Sequence, residues 1–292
     1  SEMCIRDRAL FEADALRREP QSLWWQIARL ELTGLTNIFQ RYTRSALVVC
    51  YAVYWWLVLS VIALFVWPAV MLLPHRAWRH AMIAKATRLW FWLSGIRLDV
   101  IGSPPTDVER SIVVSNHASY VDGAVLSVAV PGELSFIAKQ EFAGQFFAGG
   151  FLRRLGTLFV HRVDKAAGIK GAEAIVDAAK AGHRLVVFPE GTLLRRPGLL
   201  GFRMGAFVAV AEAGAAVIPV AIRGTRTVLR GEQWVPRRGK IIVEIGAPIH
   251  PDGKGFHAAV QLRDATRSWI LMHCGEANLA GETVDLSNWE QL

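Results

Sequence analysis

The fold of this chain is decided around SIVVSNHASYVDG, residues 111–123. Residues 111–114 are a short apolar run rich in β-branched side chains, which is typical of a buried strand. After a polar loop, the pattern changes to one that favours a helix. A strand that leads through a short loop into a helix is the repeating unit of α/β domains, so this stretch predicts a sheet flanked by helices.

The same alternation continues through the C-terminal two thirds of the chain. Predicted strands are Arg97–Ile101, Ser111–Val114, Leu134–Ile137, Leu158–Val160, Arg184–Phe188, Ala216–Ala221 and Lys240–Ile245. Predicted helices are Tyr120–Val128, Ala166–Ala181, Phe202–Ala213 and Phe256–His273. We therefore predict an α/β domain over residues 96–292, with an open sheet flanked by helices.

The composition excludes intrinsic disorder as the main state. Of the 292 residues, 52% are hydrophobic and 20% are charged, with a formal net charge of +8. Cys4, Cys50 and Cys274 are too few and too scattered for a disulfide framework or a zinc site, so we expect a reducing compartment and no metal. The basic residues near the C-terminal strands accompany no nucleic-acid-binding motif, and anionic lipid headgroups explain them better.

A membrane-associated region precedes the α/β domain. Residues 45–74 carry no formal charge and include the apolar run from Ala46 to Trp67, whereas about 20 apolar residues suffice to cross a bilayer. Eight of the eleven tryptophans lie in the first 92 residues, as in a membrane-interface belt, which argues against a buried core helix. Because Pro68 and Pro74 can bend the segment, a full span and a hairpin embedded in one leaflet both stay open.

The residues around this segment predict its orientation. From Arg76 to Leu93 the pattern predicts an amphipathic helix in the headgroup layer, with aromatic residues on one side and cations on the other. The cations after the apolar segment slightly outnumber those before it: Arg76, Arg79, Lys85, Arg88 and Arg97 against Arg29, Arg41 and Arg44. This bias predicts a catalytic domain on the cytoplasmic face of a membrane.

The predicted organisation is therefore a helical segment over residues 1–44, membrane-spanning or membrane-embedded helices over 45–95, and the α/β domain over 96–292. The chain begins at Ser1 rather than Met. We expect the opening residues to be partly non-native or the tail of a longer polypeptide, and they are left out of the fold prediction.

His117 and Asp122 are the first candidate functional pair. A histidine after a strand faces the edge of an open α/β sheet where ligands bind, and a carboxylate at the start of the next helix can accept its ring N–H. The other ring nitrogen is then a general base. Ser119-x-x-Asp122 also has the spacing of a helix capping box, in which Asp122 would only satisfy a backbone N–H. The sequence leaves both interpretations open.

Three further blocks place polar or special residues at the ends of apolar strands: Gly156–Arg162, Phe188–Thr192 and Val217–Val220. Because parallel strands end at one edge of a sheet, His117, Arg162 and the Glu-Gly-Thr of residues 190–192 are expected to converge there. Gly191 allows close approach of a ligand, and a guanidinium such as that of Arg162 binds phosphate through two hydrogen bonds.

In this order, His-x4-Asp, Gly-x-x-Phe-Val-x-Arg, Phe-Pro-Glu-Gly-Thr and Val-Ile-Pro-Val resemble the motifs of the glycerolipid acyltransferase family, whose best-known members are lysophosphatidic acid acyltransferases. The resemblance covers roughly Leu98 to Pro251. It implies catalytic roles for His117 and Asp122. It also implies substrate-binding roles for Arg162, Glu190, Gly191 and Thr192, and a place near the acyl pocket for Pro219. Many members have Arg after Glu-Gly-Thr, whereas this chain has Leu193, with Arg195 or Arg196 as possible substitutes.

The resemblance implies a membrane-bound O-acyltransferase that needs no cofactor. It would transfer a fatty acyl group from acyl-CoA or acyl carrier protein to lysophosphatidic acid and form phosphatidic acid, with the lipid bilayer as a partner and no nucleic acid. Glycerol 3-phosphate or another lysophospholipid as acceptor, and an acyl-CoA-independent transacylation, stay open. A catalytically silent lipid-binding membrane protein is the rival from another class. In such a silent protein we expect other residues in place of the reacting groups, whereas this sequence keeps them.

Overall fold

The computed structural model describes residues 45–104, 111–160, 174–178 and 181–281. Two helices come first, α1 (Ser45–Leu72) and α2 (Arg76–Ser94), and Gly95 ends α2 in the left-handed conformation with φ 67°. Most of the predicted helix Ala166–Ala181, like His161 and Arg162, lies outside the described residues; positions 174–178 of it are helical and are called α5.

The sheet is made of the strands β1 (Arg97–Ile101), β2 (Ser111–Ser115), β3 (Leu134–Lys139), β4 (Leu158–Val160), β5 (Arg184–Val187), β7 (Ala216–Arg223) and β8 (Lys240–Ile245). A separate small sheet contains β6 (Leu199–Leu200) and β9 (Asn278–Leu279). The helices of this part are α3 (Asp122–Ala129), α4 (Phe146–Arg154), α6 (Gly205–Ala213), α7 (Thr225–Val228) and α8 (Gly255–Cys274). A 3₁₀ turn, Gln140–Gly144, precedes α4.

The seven strands form one sheet in the order β1-β8-β7-β2-β5-β3-β4. Every neighbouring pair is parallel except β7 and β8, which run antiparallel. The strands β7, β2, β5, β3 and β4 therefore all end at the same edge. The predicted α/β class is confirmed, and each of the seven predicted sheet strands is present with its ends displaced by at most two residues.

Side chains on both faces of the central strands are buried. On one face, Ile112 and Val114 of β2 belong to a core cluster with residues of β5, β7, α6 and α8. Successive residues of a strand point to opposite faces, and Val113, which lies between these two residues, is fully buried as well. Burial on both faces explains why these strands read as continuous apolar runs rather than as alternating patterns.

From Ala52 onward, helix α1 lies along the α/β domain with much of its surface uncovered. The Trp56 indole N–H donates to the Trp234 carbonyl over 2.8 Å, and the Trp67 ring lies 5.7 Å from that of Phe147 on α4. In its most apolar stretch of 18 residues, only 6% of the residues are buried. One such helix is by length and composition capable of crossing a membrane. These contacts pack the part of α1 from Trp56 to Trp67 beside the domain.

Helix α2 corrects one prediction. Its aromatic residues and cations do not separate onto two sides, because Arg79 and His80 are buried on the same helix as Trp90 and Phe91, while Trp92 is exposed. The predicted amphipathic arrangement for the headgroup layer is therefore wrong. Instead of lying free, α2 packs against α3.

Arg79 is buried because it forms, together with Arg154, an arginine clamp at the C-terminal end of α1. Arg79 donates to the carbonyls of Leu73, Pro74 and Arg154 over 2.8, 2.7 and 2.6 Å. Arg154 donates to the carbonyls of Met71 and Leu73 over 2.7 and 2.9 Å. The last carbonyls of a helix lack partners within the helix, and cations bind them well because the helix dipole is negative there.

The chain divides into two compact units, Ser1–Tyr51 and Ala52–Leu292. This division falls within α1. The domain boundaries predicted from the sequence, at 44/45 and 95/96, stay predictions.

Candidate active site

The candidate site lies at the edge where the parallel strands end. β2 and β5 are direct neighbours, with Val114 opposite Val187. The loop after β2 carries His117, and the loop after β5 carries Glu190. The predicted convergence of these two residues is confirmed by a hydrogen bond of 2.8 Å from the backbone N–H of His117 to Oε1 of Glu190. Arg162 follows β4, which ends at the same edge, but lies outside the described residues.

His117 and Asp122 form the expected pair. Nδ1 of His117 lies 2.9 Å from Oδ2 of Asp122. The Asp122 side chain is completely buried, whereas that of His117 is 25% exposed. Nε2 of His117 makes no hydrogen bond to any of the described residues. A ring held at Nδ1 by a buried carboxylate, with Nε2 open, is the arrangement of a general base.

The capping interpretation of Asp122 holds as well. The same oxygen, Oδ2, accepts the backbone N–H groups of Ala118 and Ser119 over 2.7 and 2.8 Å. The other oxygen, Oδ1, is buried and has no partner among the residues that the structure describes. Asp122 thus fixes the loop backbone and the His117 ring through one atom, and the two interpretations left open by the sequence are compatible.

A ring contact missed in the sequence fixes the plane of His117. The Phe188 ring stacks on the imidazole, with centroids 4.3 Å apart and an angle of 21° between the planes. Phe188 is the first residue of the Phe-Pro-Glu-Gly-Thr block. Its position directly after an apolar strand was the available signal. Together with Asp122, this stacking restricts both the position and the rotation of the imidazole.

The side chain of Glu190 points into the protein interior. Its side chain accepts the N–H of His117 through Oε1 and that of Leu200 through Oε2, the latter over 3.0 Å. The residue is 4% exposed. Burial raises the pKa of its carboxyl from 4.5 to about 7, against the opposite effect of the two N–H donors. Its substrate-binding role, implied by the resemblance, stays a prediction, since both oxygens already have partners in the chain.

Asn116 ties the loop that carries His117 to the neighbouring strand. Its side-chain amide donates to the carbonyl of Ile222 on β7 over 2.9 Å and its oxygen accepts the N–H of the same residue over 2.8 Å. Asn116 is buried. This pair of bonds continues the sheet pairing one step beyond β2 and leaves little freedom to the backbone of His117.

The Glu-Gly-Thr segment meets an arginine that the sequence did not single out for the site. Gly191 has φ 73°, and a Cβ at this position would lie 2.5 Å from Nε of Arg203. Arg203 is exposed, and its backbone N–H donates to the Pro189 carbonyl over 2.9 Å. Only glycine fits here, because of both the backbone conformation and the guanidinium. Thr192 is half-buried.

Leu193 and the two arginines after it occupy different surroundings. A Cβ on Gly231 would lie 3.2 Å from Cδ2 of Leu193, so Leu193 packs beside that glycine. Nη1 of Arg195 lies 3.6 Å from Oε2 of Glu232, with both side chains largely exposed. Arg196 is exposed. The predicted substitution of either arginine for the missing one stays untested.

Pro219 lies within the sheet rather than at its edge. It is a buried residue of β7, opposite Val114 of β2, and its carbonyl accepts the N–H of Gly246 over 2.8 Å. Its role near an acyl pocket stays a prediction. Among the described residues, no three His, Cys, Asp or Glu side chains cluster in a way that could hold a metal ion.

A cavity of about 640 Å³ lies elsewhere, between the C-terminal parts of α2 and α3 and strand β1. Its lining includes Arg88, Phe91, Val128 and Pro131 but not His117. The candidate site is therefore an open edge of the sheet and not this cavity.

The part of the chain that carries the candidate site is similar to known acyltransferases. Residues 97–223 match the family model described as Acyltransferase. The chain is 28% identical over 183 residues to the chloroplastic 1-acyl-sn-glycerol-3-phosphate acyltransferase LPAT1 of Arabidopsis thaliana, covering 61% of this chain and 50% of that protein. It is 32% identical over 136 residues to the lyso-ornithine lipid O-acyltransferase of Rhodobacter capsulatus, covering 46% and 47%. The chain thus spans about half the length of these two relatives.

A solved structure matches more completely. The crystal structure of the 1-acyl-sn-glycerophosphate (LPA) acyltransferase PlsC from Thermotoga maritima superposes with a TM-score of 0.65 at 25% identity. The match covers 76% of this chain and 92% of that one. It supports the open sheet flanked by helices as the fold of this chain.

Proposed function

Because residues 97–223 match the Acyltransferase family model and the fold is similar to that of an LPA acyltransferase, we propose that the chain transfers a fatty acyl group from a thioester to the free hydroxyl of a lysophospholipid, with lysophosphatidic acid as the acceptor. The observation that carries this proposal is the pair His117–Asp122, joined over 2.9 Å with Nε2 of the ring open. The family resemblance rests on motifs around this pair.

In the proposed reaction, Nε2 of His117 takes the proton of the acceptor hydroxyl as its oxygen attacks the thioester carbonyl. A C–O bond forms, the C–S bond then breaks, and the imidazolium returns its proton to the departing thiolate. The buried negative charge of Asp122 stabilises the imidazolium in between, and backbone N–H groups bind the oxyanion. Neither a covalent enzyme intermediate nor a metal takes part.

The acceptor phosphate needs a cation. Arg162 has this role by the family resemblance, and Arg203 is a second candidate, because its guanidinium lies against Gly191 on the exposed side of the Glu-Gly-Thr segment. Guanidinium groups bind phosphate through two parallel hydrogen bonds. With Leu193 in the place of an arginine, we propose that Arg203 supplies the missing contact.

A lyso-ornithine lipid is a second candidate acceptor. Two observations favour it: Leu193, where many phosphate-binding relatives have arginine, and the 32% identity to a lyso-ornithine lipid O-acyltransferase. This acceptor presents a hydroxyl for the same chemistry but has no phosphate. The base, His117, would act in the same way.

We also propose that the protein is attached to a membrane, with the α/β domain on its cytoplasmic face. Because α1 contacts the domain at Trp56 and Trp67, it lies along the domain surface, which favours embedding in one leaflet over a full span. Exposed apolar side chains such as Leu57 and Leu64 would then enter the lipid. The acyl donor is acyl-CoA or acyl carrier protein.

The test is an assay of purified protein in detergent with labelled lysophosphatidic acid, glycerol 3-phosphate, lyso-ornithine lipid and other lysolipids. Each acceptor is combined with both thioester donors, and products are identified by mass. We expect phosphatidic acid, and His117→Ala should lower its formation by about 10²- to 10⁴-fold while the variant still folds. No transfer to any acceptor would favour the silent lipid-binding protein, and transfer by His117→Ala above about a tenth of wild type would exclude His117 as the base.

A further inference from the structure

Two large aromatic side chains in contact with each other are exposed, and one of them belongs to the loop that carries the candidate catalytic histidine. Tyr120, three residues after His117, is 56% exposed, and Trp234 is 70% exposed. Their rings are stacked nearly in parallel, with an angle of 16° and 6.5 Å between centroids. Exposed aromatic surface of this size is costly in water and marks a binding surface when it is contiguous.

The pair continues onto the apolar helix. Trp56 of α1 places its ring 5.5 Å from that of Trp234. Its indole N–H also donates to the Trp234 carbonyl over 2.8 Å. We call Trp56, Trp234 and Tyr120 the aromatic ladder. It connects α1, which carries many exposed apolar side chains, with the loop that carries His117.

The ladder is held in place by the chain around it. Oγ of Ser119 donates to the carbonyl of Leu229 over 2.5 Å, which ties the loop that carries His117 to residues 229–236, the segment that carries Trp234. Glu232 in this segment has φ 60°, a left-handed conformation that is unfavourable for a residue with a side chain. Trp234 is thus exposed on a segment that is held in place, and not at the tip of a loose loop.

We propose that the aromatic ladder binds the acyl chain of the lysolipid acceptor. The lysolipid moves along the ladder from the leaflet beside α1 to His117, and its acyl chain stays in contact with apolar surface on the way. This inference rests on the proposed function. The chemistry of the ladder fits a long alkyl chain, because three ring faces offer apolar contact without a charged group. Its two ends fit an amphiphile, since one end belongs to α1, at the proposed membrane surface, and the other, Tyr120, belongs to the loop that carries His117.

The experiment measures KM for acceptors of long and short acyl chain, and for the donor, in Trp234→Ala and Tyr120→Ala. We expect KM for the long-chain acceptor to rise roughly tenfold, the size expected for losing one aromatic contact. KM for the short-chain acceptor and for the donor should change little. Trp234→Phe should restore most of the wild-type value. The matched control is Trp92→Ala, which removes an equally exposed tryptophan from α2.

A second measurement does not depend on turnover. A lysolipid brominated in its acyl chain should quench the tryptophan fluorescence of the wild-type protein in detergent, and Trp234→Phe should lose a part of this quenching. Equal effects on long-chain and short-chain acceptors, an effect on the donor alone, or unchanged quenching in Trp234→Phe would overturn the proposal. If the wild-type protein acylates no lysolipid but Trp234 is quenched, the proposed function fails while the binding surface stands.

Discussion

One oxygen of Asp122 accepts three hydrogens, from the His117 ring and from two backbone N–H groups. Asp122→Asn keeps a carbonyl that can accept all three but removes the negative charge behind the imidazolium. We expect kcat to fall at least about tenfold. The three hydrogen bonds to a charged oxygen become weaker bonds to a neutral one, so stability should fall by about 1–3 kcal/mol.

Kinetics and thermal unfolding together check this prediction, with Asp99→Asn as control because Asp99 is an exposed acid on β1. If Asp122→Asn lowers stability but leaves kcat within a factor of about two, the carboxylate serves only as a cap.

Glu190 holds the His117 backbone, and we expect it to act as a positioning residue. Glu190→Gln replaces one accepting oxygen by an NH₂ group that faces a backbone N–H, so the His117 loop must shift. The expected result is a lower kcat with an acceptor KM close to that of wild type. A raised acceptor KM at unchanged kcat would instead support the substrate-binding role. The control is Glu212→Gln, an exposed carboxyl on α6.

The same carboxyl predicts a pH dependence of stability. Burial raises the pKa of Glu190 to about 7 in the folded protein, so the folded state binds a proton that the unfolded state releases near 4.5. The stabilisation is therefore present below pH 4.5 and is lost as the pH rises through 7. A pKa shift from 4.5 to about 7 corresponds to about 3 kcal/mol. Urea unfolding in detergent at pH 5 and pH 8 should show this loss in wild type, and Glu190→Gln should show a smaller one.

At the scale of elements, the arginine clamp joins α1 to the domain. Arg79 is 6% exposed and satisfies three carbonyls at the junction of α1, α2 and α4. Arg79→Met fills the space but removes the hydrogen bonds that Arg79 donates to the carbonyls of Leu73, Pro74 and Arg154, of which Leu73 keeps the bond from Arg154. We therefore expect a clearly lower melting temperature in detergent. Lys85→Met, which removes an exposed cation from the same helix, is the control. Equal melting temperatures for the two variants would show that the clamp contributes nothing to stability.

At the scale of the whole molecule, we expect attachment to membranes by apolar contact. Attraction of cations to headgroups is screened within about 3 Å at 1 M salt, whereas buried apolar area is not affected by screening. The protein should therefore stay with membranes through a 1 M salt wash and be released by detergent. Arginine in place of both Leu57 and Leu64, which are exposed on α1, should make attachment salt-sensitive. Release of the wild-type protein by salt alone would contradict the prediction.

The sequence by itself determined the strands of the sheet and the loops that hold His117 and Glu190. Both follow from local patterns: an apolar run marks a buried strand, and parallel strands bring their ends to one edge. The sequence did not predict helix α4, because its residues FFAGGFLRR include two glycines, which disfavour a helix. A Cβ on Gly149 would lie 2.5 Å from the Ala143 carbonyl, so close packing on the preceding turn requires the glycine.

Only the tertiary structure decided the partners of Arg79 and Glu190 and the surroundings of Trp234. Arg79 reads as an outward-facing cation of an amphipathic helix, yet it is buried because the end of α1 presents carbonyls that need donors. Glu190 reads as a substrate ligand, yet both of its oxygens accept N–H groups from residues at least ten positions away. Trp234 carries no motif at all. Each assignment depends on contacts between distant segments, and a hydrogen bond between such segments leaves no local pattern by which the sequence could predict it.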